Sequence, residues 1–202
     1  MGGWTKMEVS KKFEQLEENK VVLIPDAIDG MSEYAQEKPQ RVGTIVYDKK
    51  TGVELEHHLS EQQVEGSIAR YNHPIYRDLH YKIKGLLEKV FDIDLYPTYY
   101  YDRFYSSGQE LKKHVDRPSC EISVSLFISS NTEEPWPLYF DTPTRGEIGI
   151  ITIPGDICVY KGCDVVHWRT PLQGDDKTYH HQLFLHYVNA NGNYLHHAFD
   201  KR

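Results

Sequence analysis

From Tyr96 onward the chain becomes a run of short apolar segments separated by Gly, Pro, Asn and Asp. Strand candidates are 99–105, 121–128, 137–140, 148–153, 157–160 and 182–188. The half before them reads differently. Lys6–Asn19 has the character of a short helix, with Phe13 and Leu16 on one side. Val21–Ile24, ahead of Pro25 and Asp26, reads as a buried strand ending in a turn, and 41–47 as a second strand closed by the turn 48–52. Ser60-Glu61-Gln62-Gln63 resembles a helix start, with Ser as N-cap and Gln three residues on. A second helix is predicted from Pro74 to about Phe91, because Ile75, Leu79, Ile83, Leu86, Leu87 and Val90 recur at helical spacing. Helices first and strands afterwards predict a mainly β fold with flanking helices, a double-sheet jelly roll or cupin-like barrel. The expected organisation is a single domain over 1–202, with helical support over about 1–95 and a barrel core over about 96–190.

Composition narrows the classes of function. At 202 residues and 39% apolar content the chain can bury one real core. A net charge of -7 argues against a sequence-independent grip on nucleic acid. No apolar run approaches the roughly 20 residues of a membrane span, and Met1 to Ser10 lacks the apolar stretch of a signal peptide. Cys120, Cys158 and Cys163 are odd in number and form no C-x-x-C, which argues against a disulfide framework or a structural zinc site. The expected setting is the cytoplasm, with no nucleic-acid or membrane partner.

His114-Val115-Asp116, followed by His167, carries the chemistry. Two imidazoles and one carboxylate form the facial triad that holds non-haem Fe(II) and leaves positions open. In an extended segment residues i and i+2 share a side, so His114 and Asp116 can face one cavity. The fifty residues between Asp116 and His167 hold about four strand candidates, enough to cross a small jelly roll and return. An H-x-D tripeptide alone is weak, because eleven histidines generate it by chance; the surroundings decide.

Those surroundings resemble the 2-oxoglutarate- and Fe(II)-dependent oxygenases, especially the prolyl 4-hydroxylase-like branch. The resemblance covers about 90 residues, roughly 99–188. Tyr105-Ser-Ser-Gly108-Gln109-Glu-Leu-Lys-Lys-His114-Val-Asp116 is similar to that branch's Y-x-x-G…H-x-D block. Pro154-Gly155-Asp156-Ile157-Cys158-Val159-Tyr160 is similar to the strand leading to the distal histidine, and His167-Trp168-Arg169-Thr170-Pro171-Leu172-Gln173-Gly174 to the H-x-x-x-P stretch. The resemblance implies a double-stranded β-helix, with His114, Asp116 and His167 as Fe(II) ligands. It implies 2-oxoglutarate as cosubstrate, O2 as oxidant and ascorbate as a candidate reductant. Gly108 would permit the tight turn, and Tyr105 would hydrogen-bond the cosubstrate's distal carboxylate. For the cationic anchor two residues compete. Lys177 lies ten residues after His167 and fits the family spacing, but beside Asp175 and Asp176. Arg169 lies two residues after His167 and can bind a carboxylate bidentately.

The implied reaction is hydroxylation of a C–H bond of an amino acid or a peptidyl residue, proline-like, with release of succinate and CO2. Related halogenases put a small residue where Asp116 stands, so a carboxylate here implies hydroxylation or another oxidation. The substrate would be a small molecule or a peptide. Trp136, Trp168, Tyr99, Tyr101, Arg103 and Arg117 are candidates for the mouth, against a plainer role in core or rim. The pairs His180-His181 and His196-His197 read as surface or supporting groups, since neighbours in a strand point to opposite faces. Two other readings stay open: a cupin-type metalloenzyme that uses no 2-oxoglutarate, and a non-catalytic metal-binding module.

Overall fold

The computed structural model describes residues 6–200. Residues 1–5, which include part of the segment read for a signal peptide, lie outside that range, as do 201 and 202. In chain order the elements are α1 (Lys6–Asn19), β1 (Val21–Ile24), β2 (Gly43–Tyr47), β3 (Glu54–His58), β4 (Ile68–Tyr71), α2 (Arg77–Phe91), β5 (Leu95–Ser106), β6 (Leu111–His114), β7 (Ile122–Ser130), β8 (Leu138–Thr142), β9 (Gly146–Ile150), β10 (Ile157–Tyr160), β11 (Val166–Arg169) and β12 (Tyr179–Asn189). The strands form two sheets. The larger has eight in the order β1-β10-β7-β12-β5-β4-β2-β3, and the smaller has four in the order β6-β11-β8-β9. From β5 on the chain crosses repeatedly between the sheets, which is jelly-roll topology.

The larger sheet is covered on both faces. Leu183, Leu185 and Tyr187 of β12 join Leu79, Ile83, Leu87 and Val90 of α2 and Leu16 of α1 in one core. Phe184, on the opposite side of β12, joins Tyr99, Tyr101 and Tyr105 of β5 and Leu138 and Phe140 of β8 in a second core between the sheets. Burial on both faces explains why β5 and β12 do not alternate strictly between apolar and polar residues. Each fully buried Leu of these cores contributes about 1.5–3 kcal/mol over its exposed state. A charged network also sits on the α2 face. Arg70 grips Asp102 through Nε at 3.0 Å, and His181 Nε2 meets the same carboxylate at 2.7 Å, with Asp102 wholly buried.

Several expectations need correction. The predicted helix start at Ser60 is a turn: the Glu61 carboxylate accepts the backbone N–H groups of Gln63 and Val64, so the side chain competes with helix formation. The N-terminal part is not only helical support, because it supplies β1 to β4 of the larger sheet. His180 and His181 are buried, on opposite faces of β12, and are not surface groups. The helix over Pro74 to Phe91 begins as a single 3-10 turn, Pro74–Tyr76, before α2. The cysteines are free thiols, with Cys120 and Cys158 buried. Among the described residues no helix is long and apolar enough to cross a membrane.

Candidate metal centre

Strands β6 and β11 pair antiparallel with His114 directly opposite His167. This register sets the last residue of β6 beside the second residue of β11, with ring centroids 4.3 Å apart. Gly108, at φ +82°, makes the turn between β5 and β6 in a conformation that strains any side chain. Its N–H bonds Leu172 O at 2.8 Å, tying that turn to the segment after β11. Asp116 follows two residues beyond His114, and its backbone N–H bonds Gly162 O at 2.8 Å. A Cβ on Gly162 would lie 2.5 Å from Asp116 Oδ2, so glycine there lets the loop before β11 close on the carboxylate.

The three side chains converge. Asp116 Oδ1 lies 3.5 Å from His114 Nε2 and 3.6 Å from His167 Nε2. Each imidazole turns Nδ1 back to a carbonyl two residues earlier: His114 to Lys112 O at 2.8 Å, His167 to Val165 O at 3.0 Å. A carbonyl only accepts, so Nδ1 carries a proton, and in the neutral ring Nε2 keeps a lone pair toward the centre. That is the tautomer a metal needs, and one ligand atom from each residue falls within a single 4.8 Å cluster.

Electrostatics agree. Burial pushes the Asp116 carboxyl up, but the adjacent His114 and His167 rings outweigh it and hold the group below the usual carboxylate range. Burial pulls His167 down despite Asp116, so its ring stays neutral at neutral pH. His114 is more open; burial opposes its charged form, and the neighbouring Asp116 carboxylate and Lys112 O outweigh that and raise it, so its charged form is favoured more than that of His167. The second carboxylate oxygen is steadied from behind, as Ser123 Oγ donates to Asp116 Oδ2 at 3.2 Å and lies 2.9 Å from His186 Nδ1.

The two proposed anchors separate clearly. Arg169, at the end of β11, is buried between the sheets. Its guanidinium lies 4.5 Å from the Trp136 ring centroid, and NH2 donates to Gln182 Oε1 at 3.2 Å. Burial pulls it down to about 10. Its buried Nε has no hydrogen-bond partner, and among the described residues no carboxylate pairs with it. Lys177 is exposed in the turn before β12, on an open cleft with Lys38, Ser106 and Asp176. Tyr105 is fully buried, its ring 4.9 Å from that of Trp136, so it borders the same aromatic as Arg169.

The mouth candidates also divide. Tyr99, Tyr101, Arg103 and Trp136 are buried in the interior. Trp168 instead stacks on Tyr139 with Lys113 above it, and Arg117 pairs with Asp200 at 2.7 Å. Sequence reading missed Gln63. Its side-chain amide lies 2.9 Å from His114 Nε2 and accepts from Arg103 NH1 at 2.8 Å. It missed Ser123 and His186 as well; no sequence signal marks them, because their partners lie on other elements.

No known family profile matches the sequence, and no curated protein matches it significantly. Solved structures do match. The fold is similar to that of an oxidoreductase of the 2OG-Fe(II) oxygenase family from Burkholderia pseudomallei, with TM-score 0.64, 12% identity, 98% of this chain and 95% of that chain. It is similar to a prolyl-4-hydroxylase from Pseudomonas putida, with TM-score 0.63, 10% identity, 89% of this chain and 97% of that one. A prolyl hydroxylase from Trichoplax adhaerens, solved with a peptide fragment of hypoxia inducible factor, matches with TM-score 0.61, 11% identity, 90% of this chain and 89% of that one. The architecture is therefore the jelly roll of the 2-oxoglutarate/Fe(II) oxygenases, including the prolyl hydroxylases among them.

Proposed function

We propose that this protein, acting as one domain over 1–202, is an Fe(II)- and 2-oxoglutarate-dependent dioxygenase that hydroxylates a C–H bond of an amino acid or peptidyl residue, proline-like. The observation that carries the reading is the convergence of His114 Nε2 and His167 Nε2 on Asp116 Oδ1, each ring held in the metal-binding tautomer by its own backbone. His114, Asp116 and His167 would hold the iron. When bound, ferrous iron supplies O2 activation coupled to decarboxylation of 2-oxoglutarate, giving succinate, CO2 and a hydroxylated product, with ascorbate as reductant for idle iron. The fold shared with prolyl hydroxylases supports the substrate class, small molecule or peptide. Three free thiols, two of them buried, suit a cytoplasmic setting.

The chain's own residues would do three things. Arg169 would take the distal carboxylate of 2-oxoglutarate, because a buried guanidinium with an idle Nε and no acidic partner calls for an anion. Tyr105 would add a hydroxyl donor beside it. The aromatic walls Tyr101, Trp136 and Phe184 would keep water away and strengthen these contacts. Lys177 remains the alternative anchor by spacing, and its exposure counts against it.

The test is succinate release from 2-oxoglutarate under air with added Fe(II). Wild type is expected to turn the cosubstrate over, faster once a substrate is found. His114→Ala and Asp116→Ala are expected to be inactive yet folded. Succinate release at the wild-type rate in either variant would reject the metal assignment.

A further inference from the structure

Gln63 stands exposed on the segment between β3 and β4. Its orientation follows from its partners. Arg103 can only donate, so the atom 2.8 Å from Arg103 NH1 is the amide oxygen. With Nδ1 bonded to Lys112 O, the neutral His114 ring presents an Nε2 lone pair, so the atom 2.9 Å from it is the amide nitrogen, donating. The amide thus bridges a fully buried guanidinium and one of the three converging ligands. Arg103 is held in turn, since NH2 pairs with Glu61 Oε1 at 3.0 Å and the guanidinium lies 5.3 Å and 5.5 Å from the Tyr101 and Tyr105 ring centroids. Glu61 also closes the turn that carries Gln63. The chain Glu61–Arg103–Gln63 aims an N–H donor at the centre.

A metal at the centre requires the His114 Nε2 lone pair that Gln63 uses here. Both cannot have it. Gln63 keeps its oxygen on Arg103, so its freed N–H groups stay beside the metal, where the remaining ligands must be small oxygen donors or anions. We propose that Gln63 is a further binding residue of this site: its amide nitrogen donates to the anionic oxygen ligand that the seated metal carries, and Arg103 and Glu61 are positioning residues that act through it. The proposal rests on the metal reading above and adds a contact to that reading.

The signature is a split between two affinities. Gln63 competes with the metal for His114 and then assists the anion. Removing it should leave metal binding intact or tighter while weakening the anion. The measurement is equilibrium binding of Mn(II) alone, followed by titration of the Mn(II)-loaded protein with 2-oxoglutarate, in wild type, Gln63→Ala and Gln63→Glu. Glu61 keeps its pairing with Arg103 in both variants, and thermal melting checks that each stays folded. Expected are Mn(II) affinity equal to or above wild type in Gln63→Ala, and 2-oxoglutarate affinity reduced about tenfold, the size of a lost hydrogen bond to a charged group. Gln63→Glu keeps an oxygen for Arg103 but offers no donor, and should lose 2-oxoglutarate affinity at least as far.

Unchanged 2-oxoglutarate affinity in both variants overturns the proposal, including the case in which only Mn(II) binds more tightly. Loss of Mn(II) affinity in Gln63→Ala also overturns it, because Gln63 would then support the metal itself. Absence of Mn(II) binding in wild type overturns the metal reading together with this inference, and so separates the two failures.

Discussion

Ser123 and Asp116 are joined by a hydrogen bond of 3.2 Å from the Ser123 hydroxyl to Oδ2, the carboxylate oxygen that does not face the histidines. Behind it, His186 Nδ1 lies 2.9 Å from the same hydroxyl. His186 is buried and pulled down to about 4, so its neutral ring can donate from Nδ1 while the hydroxyl donates onward. Oδ2 is occupied and Oδ1 is left for the centre. Ser123→Ala should weaken metal binding by about 10- to 100-fold, as supporting groups of metal ligands do. Melting temperature should change little. The check is Mn(II) titration beside a thermal melt; wild-type affinity in the variant would remove Ser123 from the site.

Gly162 makes the opposite test, by adding volume. A Cβ there would meet Asp116 Oδ2 at 2.5 Å, Cys120 O at 2.5 Å and Ser123 Oγ at 2.8 Å. Gly162→Ala should destabilise the fold by about 1–3 kcal/mol, as overpacking does. It should also displace Asp116 enough to weaken the metal site. Chemical denaturation and metal titration read the two effects separately.

Arg169 and Lys177 can be ranked directly. Arg169→Ala should cost on the order of 2–5 kcal/mol of 2-oxoglutarate affinity, as truncating one partner of a buried charge pair does. Lys177→Ala should cost almost nothing, because that side chain is exposed. The reverse order would transfer the anchor to Lys177.

Stability should fall as the solution is acidified from neutrality. Burial pulls His80 down to about 3 and His186 down to about 4, against an ordinary value of 6.5. Above pH 6.5 these rings are neutral in both the folded and the unfolded chain. Between pH 6.5 and about 4 the unfolded chain takes up the protons and the folded one does not. Each of the two groups then removes up to about 1.4 kcal/mol per pH unit, an order-of-magnitude figure. Below about 4 the loss levels off for His186, and for His80 near 3. Urea denaturation of the metal-free protein at pH 7, 6 and 5 should show a steepening loss, and His80→Gln should flatten it.

The sequence already contained the elements with strong local signals. The apolar stripe from Ile75 through α2 to Val90 and the apolar-rich strands β5, β7, β10 and β12 mark themselves, because burial on one or both faces demands it. The short strands β3, Glu-Leu-Glu-His-His, and β6, Leu-Lys-Lys-His, carry no such signal; they are largely exposed and exist through pairing with β2 and β11. The proposed triad was legible through the resemblance of the blocks around His114, Asp116 and His167, since an H-x-D tripeptide alone is weak. Gln63, Ser123 and His186 were not, since their roles depend on contacts across 51, 7 and 63 residues that no local pattern records. The false helix start at Ser60 has the same origin: Glu61 serves its own turn and Arg103, which lies on β5.

The most direct test of the metal and cosubstrate assignment is an anaerobic titration with Fe(II) and then 2-oxoglutarate, watching the visible metal-to-ligand charge-transfer band. The expected result is a band that needs both components, is absent in His114→Ala, and is weakened at matched ligand concentration in Arg169→Ala. Iron binding with no band at saturating 2-oxoglutarate, or an undiminished band in His114→Ala, would contradict it.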